Sequence, residues 1–172
     1  VAHLAHPNGW WRDTAQQQLV LKQDRSVVPA LQRMARAHDR LLARFHALCT
    51  LEGLGALDAE LTRAALLDKD PRMRIQAIRA TESLYKAGDR SFADDWRTLT
   101  RDTDTDVVIQ AMLTANLFKL PDAADVIKAA QAASKSRGVA LVGERLLAPA
   151  PTFGGGRRGP ITPEEEKRLQ QG

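Results

Sequence analysis

A chain of 172 residues can hold one domain or one stack of repeats and bury a real core. Hydrophobic residues make up 44% but aromatics only 5%, and alanine and leucine dominate, which favours helix over strand. The net charge of +4 comes from scattered lysines and arginines without a long basic run, which leaves nucleic acid as the least favoured partner. The single cysteine, Cys49, excludes an intrachain disulfide and sits in an apolar run as an inert thiol. No apolar stretch approaches the roughly 18 residues of a membrane span.

Pro7-Asn8-Gly9 is a turn, and a helix is expected from Trp10 to about Gln23, with Trp11, Ala15 and Leu19 on one stripe. Asp24-Arg25-Ser26 breaks it. Ser26 is the expected cap of a second helix, which carries Pro29 in its first turn and Leu31 inward. Arg40 to Glu52 is apolar on more than one side, so it should lie buried between neighbours. Gly53 and Gly55 stop it, and Asp58 caps the next helix. Asp70-Pro71 is a strong start signal. Gly88 ends that helix, and Ser91 to about Thr100 follows, anchored by Phe92 and Trp96. After the polar corner 102–105, Val107, Val108, Ala111, Met112 and Ala115 form a stripe. Helices over Ala123–Ala133 and Arg137–Leu147 complete the array.

Residues 148–163 lose the helical period and read as a Pro/Gly-rich linker. Thr162-Pro163 then opens another helix, with Glu164, Glu165 and Glu166 in its first turn, so 164–172 is read as a truncated helix leading to a following domain. With an opening of Val1-Ala2-His3-Leu4, the chain is expected to be a piece of a longer protein.

Four of the helices share an alanine at a matching place: Ala15, Ala47, Ala77 and Ala111, spaced by 32, 30 and 34 residues. Arg12, Arg44 and Arg74 stand three residues before the first three, and Val108 takes that place in the fourth. A period of this size with two helices per unit predicts an all-α, right-handed α-α superhelix of about four helical hairpins over residues 1–147. The arginines are expected to pair with acids in neighbouring corners such as Asp39, Asp70 or Asp104. An anion-binding stripe is the alternative.

The pattern resembles HEAT-like repeats, whose first helix carries a paired arginine and alanine after an acidic or proline-bearing corner. His6-Pro-Asn-Gly-Trp-Trp-Arg-Asp-Thr-Ala15 and His46-Ala-Leu-Cys-Thr-Leu-Glu-Gly-Leu-Gly55 resemble segments of large bacterial proteins with sorbosone-dehydrogenase-like propellers, common in planctomycetes and their relatives. In that family a propeller is followed by HEAT-like repeats and a c-type cytochrome. The stretch Gly159-Pro-Ile-Thr-Pro-Glu-Glu-Glu-Lys-Arg-Leu169 is similar to the connector before the haem cysteines. No Cys-x-x-Cys-His occurs here, so no haem attaches covalently to this chain and no catalytic residue carries over. The resemblance implies a non-catalytic spacer of an exported, periplasmic, haem-dependent dehydrogenase. Its partners would be the adjacent propeller and cytochrome domains, with haem c lying beyond the C-terminus.

No residue is read as catalytic, cofactor-binding or metal-ligating. His3 and His6 are three apart, but no third zinc ligand has a fixed spacing. His46 is expected to be a hydrogen-bonded or edge histidine. The candidate interaction surface is Trp10, Trp11, Arg12, Asp13, Arg44 and Arg74, with Trp11 read as core and Trp10 against a preceding domain. Two other readings stay open. An independent protein-binding solenoid predicts an exposed apolar patch on a concave face built from the second helices. A nucleic-acid-binding solenoid predicts clustered arginines there.

Overall fold

A computed structural model of the chain describes residues 1–149. Among them are nine α-helices, two 3₁₀ turns and no strand. The expected linker 148–163, save its first two residues, and the expected helix start at 164–172 lie outside the described residues. The helices are α1 (Gly9–Lys22), α2 (Val28–Ala37), α3 (Leu41–Gly53), α4 (Ala59–Leu66), α5 (Pro71–Lys86), α6 (Phe92–Leu99), α7 (Thr105–Leu117), α8 (Ala123–Ala133) and α9 (Arg137–Leu147). None of them is long and apolar enough to cross a membrane.

Helix starts follow local chemistry. Asn8, Asp58, Asp70 and Asp104 each accept the amide N–H two residues on, which satisfies a donor the helix itself leaves open. Pro71 opens α5 where its missing N–H costs nothing. Gly55 and Gly88 hold the left-handed backbone (φ 58° and 116°) that ends α3 and α5. Ser26 does not cap α2. Asp24 accepts the Ser26 N–H instead, and the intervening Arg25–Val27 forms a 3₁₀ turn that runs directly into Val28.

The odd-numbered helices touch in succession, α1 to α3, α3 to α5, α5 to α7 and α7 to α9. The even-numbered helices α2, α4 and α6 each pack on the odd helix that follows, and α8 packs on both α7 and α9. The recurrent alanines explain how the odd helices approach one another. Ala47, Ala77 and Ala111 are fully buried on that row, and a small side chain there lets neighbouring helices approach closely. Gly53 serves the same end between α3 and α1, since a Cβ there would come within 2.6 Å of a Val20 methyl.

The main core runs from Leu4 through Leu31, Leu48, Leu61, Met73 and Ile78 to Phe92, Trp96 and Leu120. A smaller cluster of Val108, Met112, Ile127, Ala130 and Val139 closes the C-terminal end. Trp96 is the largest fully buried side chain, and its indole N–H donates to Thr81 Oγ1 at 2.8 Å. Its ring packs against Tyr85 and Phe118, with centroids 4.7 and 5.2 Å away. Trp96→Ala removes this anchor and the indole donor to Thr81 Oγ1, whose hydroxyl keeps only its own bond to the Ile78 carbonyl. A loss of about 3–5 kcal/mol in urea unfolding is expected, against a much smaller loss for Trp96→Phe.

Candidate functional site

Each odd helix from α1 to α7 is entered through a corner with one recurring geometry. A side chain at the first corner position accepts the amide of the residue two places on. His6 Nδ1 takes Asn8 N–H, His38 Nδ1 takes Arg40 N–H, Asp68 Oδ1 takes Asp70 N–H, and Asp102 Oδ1 takes Asp104 N–H. Six residues after the corner stands Arg12, Arg44, Arg74 or Val108. Each of the three arginines donates Nη1 back to the corner carbonyl, at 2.7 Å to His6, 3.0 Å to His38 and 2.8 Å to Asp68. An arginine therefore fastens its own helix to the turn that precedes it.

The free edge of the guanidinium reaches the next corner. Arg74 makes a two-pronged fork with Asp102, Nε and Nη2 lying 2.9 and 2.7 Å from its oxygens. Arg44 makes one bond, Nη2 to Asp68 at 3.1 Å. Among the described residues Arg12 has no acidic partner within ion-pair distance, and its buried Nε, like that of Arg44, has no hydrogen-bond partner. The ladder acids are thus Asp68 and Asp102, not the expected Asp70 and Asp104, which sit two residues later. Asp70 caps α5 and pairs with Arg72, Asp104 caps α7, and Asp39 forms no ion pair among the described residues. A carboxylate at the first corner position meets the arginine and the corner amide together, while one two places on is already committed to the helix N-terminus.

A second ladder links the even helices. Arg36 meets Asp58 and Glu60 at 3.4 and 3.5 Å, Arg63 meets Asp95 at 3.2 Å, and Arg97 forks onto Asp122 at 2.8 Å through both prongs. The Arg97 hydrogen bonds hold the Asp122 carboxyl below the usual carboxylate range. The sequence reading missed this row, although Arg36, Arg63 and Arg97 recur at nearly the same interval as the first set.

The structure divides the expected interaction surface. Arg44 and Arg74 lie inside the stack, bound to Asp68 and Asp102. Trp10 and Trp11 lie outside, 63% and 45% exposed, so Trp11 is not a core residue. Nothing in the first helix of the row is fully buried, because α1 has an odd helix on one side only. Trp11 instead joins a surface cluster, its ring 5.0 Å from Trp10 and 5.8 Å from both His3 and His6. No group of three metal-ligating side chains occurs among the described residues.

Asp13 is exposed and lies 3.9 Å from Nε2 of His46, whose Nδ1 hydrogen-bonds Gln16 Oε1 at 2.8 Å. A carboxylate so placed favours imidazolium, yet burial between α1 and α3 outweighs it and holds the His46 pKa below its ordinary value, with Arg12 adding to the effect. Cys49, half-buried and accepting from Gln76, is pushed up to about 11 by burial, so it is a thiol at neutral pH.

No protein-family model matches the chain, and no curated protein matches it significantly.

The His46 geometry has a pH consequence. With the folded pKa depressed, the unfolded chain binds the extra proton first, so stability is full above about pH 6.5 and falls as pH drops through the folded pKa. In urea melts between pH 7.5 and 5 (~2.5 units, spanning the ordinary histidine range), His46→Gln should flatten this decline while keeping a hydrogen bond to Gln16.

Proposed function

We propose that this chain is a non-catalytic HEAT-like scaffold, a right-handed superhelix of about four helical hairpins that holds neighbouring domains in fixed relation. The observation that carries this reading is the pair of arginine ladders. One ties successive odd helices and the other successive even helices, so both layers of the stack are cross-braced. Such bracing suits a part whose work is to keep a distance.

The context we infer, from the likeness of residues 6–15, 46–55 and 159–169, is a haem-containing dehydrogenase of the sorbosone-dehydrogenase-like type, exported to the periplasm. A propeller would precede the spacer and a c-type cytochrome would follow it. Electron transfer demands closeness between redox centres, which a braced spacer helps to keep.

The alternatives gain less support. Within α2, α4, α6 and α8 no large hydrophobic side chain is exposed among the described residues. Those that are exposed lie on α1, α3, α7 and α9 and just past α4. That is not the concave apolar patch a free-standing peptide-binding solenoid calls for. Arg36, Arg63 and Arg97, the even-helix row that nucleic acid would need, are committed to carboxylates.

The test is to read the source gene beyond the codon for Gly172. A Cys-x-x-Cys-His within a few dozen codons is expected, and the natural protein should show a covalent haem c absorption spectrum. A continuation without haem cysteines, or a stop, contradicts the dehydrogenase context and leaves a solenoid that serves a protein partner.

A further inference from the structure

The odd helices meet along one stripe of each. In register with the recurrent alanines, that stripe is Ala43, His46, Thr50 and Gly53 on α3, Met73, Gln76, Ala80 and Ser83 on α5, and Val107, Gln110, Thr114 and Leu117 on α7. Contacts from the preceding odd helix fall on it each time. Gln16 of α1 bonds His46, and a Val20 methyl faces Gly53. On α5, Gln76 donates to Cys49 of α3 and Ser83 to Glu52. On α7, Thr114 donates to Glu82 of α5 at 2.7 Å. The first and third places of the stripe are sealed on all three helices, with no residue more than 1% exposed.

On α1 the same stripe is Trp11, Thr14, Gln18 and Leu21, spaced three, four and three apart on one helix face. Among the described residues no odd helix lies on that side. The His3 and His6 rings reach Trp11 and still leave it 45% exposed. Leu21 is 68% exposed, and Gln18 is exposed where its counterparts Thr50, Ala80 and Thr114 are sealed. The end of a repeat stack that faces water carries polar residues on its outer surface. This end carries a tryptophan and a leucine on the stripe itself, with Trp10 exposed beside Trp11. That is the chemistry of an interior joint left open, and tryptophan is among the residues that contribute most when such a surface is covered.

We propose that the stripe Trp11, Thr14, Gln18 and Leu21 docks one α-helix of the neighbouring domain that the scaffold holds. The helix runs parallel to α1, as α1 runs to α3, where Gln16 meets His46 and Val20 meets Gly53 in ascending order. The chain's own row sets the chemistry of this partner. It lays apolar side chains against Trp11 and Leu21. It offers a carboxylate to the Gln18 amide, because Glu82 stands in that place towards Thr114. The docking site rests on the scaffold reading and stands apart from the dehydrogenase context. The gene sequence beyond Gly172 bears on that context and not on this stripe, so the two can fail separately.

The probe is an acetylated and amidated peptide of residues 70–87, which is the chain's own α5 with its Asp70 cap and carries Glu82. It is titrated into the ¹⁵N-labelled full chain. In a second sample it is tethered to Val1 by a Gly/Ser linker that gives an effective concentration in the millimolar range. Saturable shifts of the Trp11 indole N–H and the Gln18 side-chain amide are expected in both. Trp11→Ser and Leu21→Ser change exposed positions, so the circular dichroism should stay that of the parent while each weakens binding at least about fivefold. Glu82→Ala in the peptide should weaken it about threefold or more. Unshifted α1 signals in both the free and the tethered form would overturn the assignment, as would shifts confined to α7 or binding that survives both serine variants. So would the same α1 shifts on raising the chain concentration alone, with a doubled mass in light scattering, because a second copy would then be the occupant.

Discussion

A guanidinium buried between two helix corners must find partners for several N–H groups at once, and that requirement organises this chain. Arg44 and Arg74 are met from two directions. The carbonyl of their own corner takes one nitrogen of each; on the other edge Asp102 takes both Nε and Nη2 of Arg74, whereas Asp68 takes only Nη2 of Arg44 and leaves its Nε unpaired. The carboxylate is in turn held by an amide of the corner to which it belongs. Each rung therefore fixes the orientation of one helix relative to its turn and to the helix that follows. With side-chain exposures of 13% and 11%, the Arg74–Asp102 pair sits where losing one partner leaves a charge that water cannot easily rescue.

The hydrophobic core supplies most of the stabilisation, but it does not by itself fix register. Leucine and alanine faces slide over one another at modest cost, whereas a forked arginine tolerates little displacement. The ladder stops where its chemistry changes. At the fourth corner Val108 replaces the arginine and joins Met112, Ile127 and Val139, so the C-terminal end closes with an apolar plug. At the opposite end Arg12 keeps its corner contacts and meets no acid among the described residues, and α1 leaves Trp10 and Trp11 at the surface. The two ends of the stack are thus chemically different: one is finished by packing, while the other presents charge and aromatic surface.

Much of the helix layout was legible in the sequence because its signals are local. Asp58, Asp70 and Pro71 mark starts, Gly55 and Gly88 mark ends, and the α8 and α9 boundaries follow directly from the apolar pattern. The alanine and arginine repeat located the odd helices for the same reason. What was not legible depends on neighbours. Trp11 has the periodicity of a core residue, but a stripe becomes core only if another element covers it, and here only the His3, His6 and Trp10 rings lie against Trp11, which leaves it half-exposed. The ladder partners were placed two residues late because Asp68 and Asp70, like Asp102 and Asp104, are both plausible acids in sequence. Only the turn decides which one faces the arginine. The even-helix ladder went unseen because Arg36, Arg63 and Arg97 lack a shared flanking alanine to reveal their register.

The most direct measurement of the ladder's role is a double-mutant cycle on its best rung, using Arg74→Met to keep the hydrocarbon stem and Asp102→Asn to keep the corner acceptor. Unfolding free energies of the four proteins should give a coupling of about 2 kcal/mol or more for Arg74 and Asp102. The exposed Arg36–Asp58 pair, treated in the same way, should give roughly 0.5 kcal/mol or less. A coupling at the buried rung no larger than that of the exposed pair would contradict the account, because packing alone would then set the relation between successive helices.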